Sequence, residues 1–382
     1  MKSTFKDFEL RLLNPNFDSD LIDVLTELEK LRTLFLRGDV HPHIFIQLKT
    51  IFHMLESMGS ARIEGNHTTV ADYVEHHLDD APSPSENLAE IKNIEKAMAY
   101  IDESLKVGDD ITEFFIRELH AIAVEGLTKE GDPSPGKYRI GSVTIGKSLH
   151  LPPEALRVPD LMQELVGFVN RQDKPKYDLM KIALAHHRFG WVHPFNNGNG
   201  RTVRLLTYAL LIKYGFNVQA GGRVLNPTAV FCSDRTMYYD MLAEADKGSD
   251  EGLERWCTYV LSGMSRELKK VDNLTSKAFL NGKILIPAIQ YAQNRMLISL
   301  DEAKVLMLAI DRGEFKAGDL QGLFPSYSSN QRTYQIKKLL ENKFIIPISE
   351  GSRVYMPNFQ HSYLIRGVFE ALGKNGFLGG LD

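Results

Sequence analysis

Between His193 and Arg204 the chain runs His193-Pro194-Phe195-Asn196-Asn197-Gly198-Asn199-Gly200-Arg201, with Arg204 three residues further on. A loop of this composition that opens a helix can seat an anion. Gly198 and Gly200 tolerate positive φ and let the backbone approach a ligand, while the first amides of the following helix lack intrahelical partners. Arg201 and Arg204 share one helix face and can grip phosphate oxygens in forked geometry. Asn199 can add a side-chain amide to the anion site, and Asn197 offers a neutral oxygen to a hard cation such as Mg²⁺. His193 stands just before the turn, where an imidazole of pKa about 6.5 suits proton removal at neutral pH. Phe195 is expected to point into the core and pin the loop. The chemistry implied is transfer of a phosphorus-containing group to a hydroxyl. Taken singly, each of these residues is more often a packed side chain, a turn or a solvated charge; the fixed spacing of all of them carries the reading.

That spacing resembles the Fic-family signature H-x-F-x-[DEN]-G-N-G-R-x-x-R at every position, and the likeness extends over roughly Asp18 to Leu268. It takes in Ala183-Leu184-Ala185-His186-His187-Arg188-Phe189, Gly136-Lys137-Tyr138-Arg139, Leu151-Pro152-Pro153 and Tyr238-Tyr239. The resemblance implies a mainly α fold, a Fic-type helical bundle with a short β-hairpin flap. It also implies a protein adenylyltransferase, in which a Tyr, Thr or Ser hydroxyl of a protein attacks the α-phosphate of ATP and pyrophosphate leaves. On that basis His193 is the catalytic base, and Gly198, Asn199 and Gly200 hold the phosphates. Arg201 and Arg204 neutralise the β- and γ-phosphates, Asn197 serves nucleotide and Mg²⁺, and Tyr238 or Tyr239 lines the adenine side. Val143 and Thr144 lie in the segment that resembles the flap, which pairs with the target backbone as an added strand. Position 197 is often Asp or Glu in the family, so Asn197 is expected to weaken Mg²⁺ binding.

A second segment, Ser60-Ala61-Arg62-Ile63-Glu64-Gly65-Asn66, resembles the family's inhibitory signature [ST]-x-x-x-E-[GN]. Ser60 and Glu64 are four apart and share a helix face. A carboxylate there can pair with Arg204 and occupy the place the γ-phosphate needs, because one guanidinium fork cannot satisfy both anions. The expected partners are a protein with an exposed hydroxyl, the chain itself through self-modification, and a second copy in a homodimer. Three other readings stand beside this one. A Doc-like kinase would transfer the γ-phosphate, but such loops resemble A-N-K-R and lack the equivalents of Gly200 and Arg204. A de-AMPylase would use Glu64 to help activate water. A DNA-binding regulator would act through the C-terminal residues Arg332, Lys337, Lys338 and Lys343, whose charge suits phosphate contacts.

The elements that must hold these residues are mostly helical. Apolar residues recur at helical spacing from Asp18 to about His77, and the run ends at the polar, Pro-bearing stretch Asp79–Ser85. Helices are expected at Glu86–Leu105 and at Ile111–Val124, the second capped by Asp110. Ser142–Ile145 and His150-Leu151 form the one hairpin. Further helices are expected from Pro159 to about Asn170, Tyr177 to Trp191, Gly200 to Tyr214, Asp234 to Ala245 and Leu253 to Leu268. From about Ile284 three helices and a hairpin, Phe344–Ile348 with Val354–Met356, describe a winged helix. The expected domains are 1–85 with the inhibitory helix, 86–270 as catalytic core, and 284–382 as a winged-helix-like α+β domain.

The bulk composition is that of an ordinary soluble globular protein. The chain has 382 residues, 43% hydrophobic and 25% charged, long enough for one large domain or two to three smaller ones. A net charge of -4 gives no overall attraction for nucleic acid or anionic lipid. Cys232 and Cys257 cannot build a disulfide framework, which suits a reducing compartment. The N-terminus lacks an apolar stretch typical of a signal peptide and nothing reads as a membrane span, so a cytoplasmic location with no membrane role is expected.

Overall fold

The structure, a computed structural model, describes residues 5–33, 38–78, 85–146, 148–216 and 227–378. Most of Asp79–Ser85 and Lys147 fall outside that set.

Two helices form the centre: α7 (Asp178–Val192) and α8 (Asn199–Lys213). Every residue of α7 from Leu179 to Val192 except Gly190 is buried, as is every residue of α8 except Gly200. A helix enclosed on all sides must give each polar side chain a partner. His186 accordingly meets Thr207 Oγ1 at 2.7 Å and Tyr238 Oη at 2.8 Å, and Arg188 pairs with Glu164 at 2.6 Å. The loop from His193 to Gly198 joins these two helices, so both of its ends are anchored where the molecule yields least.

Around this pair lie α1 (Asp20–Thr33), α2 (Pro42–Glu64), α3 (Val70–Leu78), α4 (Glu86–Ser104), α5 (Glu113–Ala123), α6 (Val158–Asn170), α9 (Thr228–Cys232), α10 (Arg235–Ala245) and α11 (Asp250–Asp272). Their starts follow local chemistry. Pro42 and Pro159 occupy first-turn positions where a missing N–H costs nothing, and the side chains of Asp234 and Ser249 cap α10 and α11. The cap of α5 is Thr112, whose hydroxyl accepts from Phe115 N at 3.0 Å, and not Asp110. Thr112 is better placed because its extended backbone turns the oxygen toward the open end of the helix.

The expected hairpin at Ser142–Ile145 is not a hairpin. Among the described residues the only ladder is β1 (Ile345–Pro347) against β2 (Tyr355–Pro357), antiparallel with Ile346 opposite Met356. Ser142–Ile145 runs without regular structure, and its neighbours explain why: Gly141 and Gly146 bracket it and Pro152-Pro153 removes donors from the returning strand.

Toward the C-terminus the chain stays helical after α11. A 3₁₀ turn (Asn273–Thr275), α12 (Lys277–Phe279), a π-helical turn (Leu280–Leu285) and α13 (Ile286–Asn294) follow one another, so the run joins 270 to 284 without a linker. Next come α14 (Leu300–Arg312), a 3₁₀ turn at Ala317–Gln321, α15 (Ser329–Glu341), the two strands, and α16 (Ser362–Lys374). α16 was not anticipated from the sequence. It packs on α13 and on α3. The buried Gln47 of α2 forks into the same region, donating to Pro357 O at 2.9 Å and accepting from Phe359 N at 2.7 Å. The three sequence segments thus interlock at α2. None of the helices among the described residues is long and apolar enough to cross a membrane.

Candidate active site

His193 ends α7 in the left-handed region, at φ 51°, which turns the chain sharply out of the helix. Its Nδ1–H donates to Gly190 O at 3.3 Å, leaving the Nε2 lone pair unencumbered by that bond. Burial lowers its pKa to about 4, against an opposing contribution from the Glu64 charge, so the ring is a neutral base at physiological pH. Phe195 is fully buried, stacked on His120 with centroids 3.7 Å apart, and pins the loop as its type suggested.

Gly198 is the turn proper. Its φ of 74° and the 2.6 Å separation between a would-be Cβ and Val124 Cγ1 leave room for no side chain. Gly200 matters for another reason. It already lies within α8, and a Cβ there would come within 2.1 Å of Glu64 Oε1. The missing side chain is what lets a carboxylate rest on the first turn of α8, where free amides and the helix dipole favour negative charge.

That carboxylate is clasped. Arg204 Nη2 donates to Glu64 Oε1 at 2.6 Å and to Ser60 O at 3.0 Å, and Arg204 Nε donates to Ser60 Oγ at 2.8 Å. Burial opposes ionisation of both partners, and their mutual attraction overrides it: the Glu64 pKa falls below, and the Arg204 pKa rises above, its ordinary value. Gly65, at φ 103°, ends α2 in a reverse turn with Asn66 N donating to Ala61 O, which fixes where Glu64 points.

Arg201 sends Nη2 to Glu130 O at 2.6 Å and pairs with Glu90 at 3.2 Å. Glu90 in turn accepts from Asn66 Nδ2 at 2.9 Å, so a buried carboxylate ties the loop arginine to the cap of α2. Both guanidinium groups act on Glu64 electrostatically, Arg204 the more strongly.

Other expected residues are placed differently. Asn199 accepts from Phe195 N at 3.0 Å and donates to Phe195 O at 2.9 Å; its side chain closes the loop upon itself and is turned away from any anion. Asn197 Oδ1 accepts from Gly198 N at 2.7 Å, and no group of three or more His, Cys, Asp or Glu able to hold a metal occurs among the described residues. Tyr238 is buried with its hydroxyl on His186, whereas Tyr239 is 42% exposed, with Arg235 over its ring at 5.5 Å. Only Tyr239 of the pair faces outward. Val143 is half-buried and Thr144 exposed.

Three residues the motif does not mark hold the loop in shape. Asp132 accepts from Asn196 N at 3.0 Å, Asn197 N at 3.1 Å and Ser134 N at 2.8 Å. Arg139, 2% exposed, donates through Nε to His193 O at 2.8 Å and through Nη2 to Pro153 O at 2.6 Å, fastening the Ser142–Ile145 segment to the start of the loop. His120 is the third. Asp132 could have been suspected as an Asp beside a Gly in a turn, but its contact with residues 64 positions away has no local signature. Asp132→Ala strands three backbone amides, and each costs less than the roughly 1–3 kcal/mol of a fully buried unpaired group because Asn196, Asn197 and Ser134 are exposed or half-buried. A loss of about 2 kcal/mol in stability, read from the denaturation midpoint, is the expected result.

The fold is similar to that of solved Fic-domain proteins. Residues 110–211 match the Fic/DOC family model. Over 201 residues it is 31% identical to the protein adenylyltransferase Fic of Drosophila melanogaster, covering 51% of this chain and 37% of that relative. The chain thus spans well under half the length of the curated relatives it matches. Among solved structures it is similar to a Fic family protein from Desulfovibrio desulfuricans G20, with TM-score 0.56 and 19% identity over 91% of this chain and 98% of the other. It is also similar to a Fic domain containing signaling protein from Bacteroides thetaiotaomicron VPI-5482, with TM-score 0.51 and 20% identity over 67% and 97%. At those identities the structures share a fold.

Proposed function

We propose that the protein is an adenylyltransferase that moves AMP from ATP to a Tyr, Thr or Ser hydroxyl of a protein, and that Glu64 holds it inactive. The observation that carries this reading is the Glu64 carboxylate on the first turn of α8, held by Arg204, at the point where this account seats a nucleotide phosphate. The relatives named protein adenylyltransferase Fic support the reaction class.

In this account His193 Nε2 removes the proton of the target hydroxyl. The oxygen bonds to the α-phosphorus, the bond from that phosphorus to the β-bridging oxygen breaks, and pyrophosphate departs. Arg201 and Arg204 offset the charge on the leaving phosphates, and the amides at the start of α8 receive the oxygens between them, so catalysis is positioning and charge stabilisation. Mg²⁺ would offset phosphate charge when bound with ATP, and Asn197 Oδ1, which accepts from Gly198 N at 2.7 Å, keeps a second lone pair with which it could hold the ion. Tyr239 takes the adenine side, and Val143 and Thr144 face the target.

The base fixes the pH dependence. A pKa lowered to about 4 by burial leaves His193 deprotonated throughout the neutral range, and removing the Glu64 charge, which raises that pKa, lowers it further. The Glu64→Gly enzyme is expected to show a flat initial rate between about pH 6.5 and 8. A sigmoidal rise through this range would mean that His193 titrates there and is more accessible to water than this arrangement allows. The main test is mass spectrometry of the Glu64→Gly protein after incubation with ATP and Mg²⁺. Added AMP on a hydroxyl side chain is expected, and unmodified protein together with unmodified candidate targets would count against the proposal.

The regulator reading gains little from the C-terminal residues. Lys338 pairs with Glu302 at 3.1 Å, Lys337 with Glu341 at 3.7 Å, and Arg332 reaches back to Tyr327 O. Among the described residues, Lys343 alone of the four basic residues proposed for DNA has no such partner for its side chain.

A further inference from the structure

His120 sits in the last turn of α5, fully buried, and belongs to no motif read from the sequence. Its two ring nitrogens face two different parts of the site. Nδ1 accepts from Gly136 N at 2.9 Å, at the base of the Ser142–Ile145 segment. A nitrogen that accepts carries no proton, so in the neutral ring the proton is on Nε2. Nε2–H then donates to Asn197 O at 3.1 Å, in the middle of the anion loop, with Asp132 Oδ2 3.6 Å away to favour that tautomer. Burial keeps the ring neutral by pushing its pKa down to about 4. Parallel stacking on Phe195, at 3.7 Å and 2°, fixes the plane in which both bonds lie. Gly198 packs on the same ring, since a Cβ there would lie 3.4 Å from Nε2.

We propose that His120 is a positioning residue that sets the register between the anion loop and the target-facing segment, one through each ring nitrogen. The geometry is exclusive in a useful way. An acceptor at Nδ1 and a donor at Nε2 are both required, and only one tautomer of one side chain type supplies them across a flat ring. Gly136 adopts φ 71° at its contact, so the backbone N–H it presents is itself fixed in direction. The nucleotide seat and the surface that receives the hydroxyl are therefore not independent: a displacement of either is transmitted to the other through an imidazole that has no space to tilt.

The nucleotide part of this inference rests on the adenylyltransferase reading, and the test separates the two. In the Glu64→Gly background, His120→Asn keeps an acceptor near Gly136 N but no longer reaches Asn197 O. His120→Gln places its terminal amide near the former Nε2 and gives up the acceptor. Backbone amide exchange should rise at residues 196–199 and stay unchanged at 136–139 in His120→Asn, with the opposite pattern in His120→Gln. Binding of ATP, followed by calorimetry, should weaken about three- to tenfold in His120→Asn, the worth of one neutral hydrogen bond, and change less than about twofold in His120→Gln. A merely structural role would disturb both segments together in both variants. That outcome, or no change in either segment, overturns the proposal. If ATP fails to bind the Glu64→Gly protein with His120 intact, the functional reading is at fault and the exchange pattern alone decides the role of His120.

Discussion

Glu64→Gly is expected to raise the rate of AMP incorporation about 10- to 100-fold over the parent protein. The figure follows from what holds the carboxylate in place. A hydrogen bond to a charged group is worth about 1.5–3 kcal/mol, and each 1.4 kcal/mol is about tenfold in an equilibrium. In the parent, Arg204 gives one donor to Glu64 and two to Ser60, so an incoming phosphate must displace a partner that is already bound and already charged. Glycine at this position removes the competitor and leaves Ser60 to keep Arg204 aimed. Two controls bear on the mechanism. Glu64→Gln keeps the size and loses the charge, and should fall between parent and glycine. Ser60→Ala should leave the parent inhibited, because the carboxylate is retained, yet slow the Glu64→Gly enzyme by loosening Arg204. Radiolabelled ATP and initial rates measure all of these. An unchanged rate in Glu64→Gly would remove the inhibitory role and leave the Glu64–Arg204 pair as a structural contact.

His193→Ala in the Glu64→Gly background is expected to lower transfer about 10²- to 10⁴-fold, the usual worth of a positioned general base. ATP binding should be little changed, because the proposed seat of the phosphates is the start of α8 and the two arginines. Loss of rate with retained affinity is the signature of a group that acts on the hydroxyl and not on the nucleotide. If binding and rate fell together, His193 would instead be shaping the loop, which its left-handed backbone makes a fair rival explanation.

Much of this site was legible because its chemistry is local in sequence. The turn at Gly198, the two arginines three apart, the base before the turn and the Ser60–Glu64 pair four apart each depend on spacing that a helix or tight loop converts directly into geometry. Helix positions followed for the same reason, since apolar periodicity decides which face is buried. Roles decided by tertiary partners were not legible. Asn199 looked like a donor for an anion and turned out to close the loop through Phe195, and Tyr238 looked like part of an adenine wall and is taken by His186 in the core. Gly200 was read as a site of positive φ, but its requirement comes from a glutamate 136 positions earlier in the chain. Asp132, Glu90 and His120 escaped notice, and Arg139 was marked only as part of a Fic-like segment, because each works through residues far away, where neither spacing nor type gives a signal. The β-hairpin expected around Val143 failed on a related point: β-rich composition makes a strand only where a partner edge is available, and Pro152-Pro153 withholds one.

The most direct test of the account is a paired labelling experiment on the Glu64→Gly protein, with ATP carrying the label at the α-phosphate in one reaction and at the γ-phosphate in the other. Label transferred to protein from the α position only is predicted, and its loss on His193→Ala would tie it to this loop. Protein label from the γ position, or from neither, would contradict it.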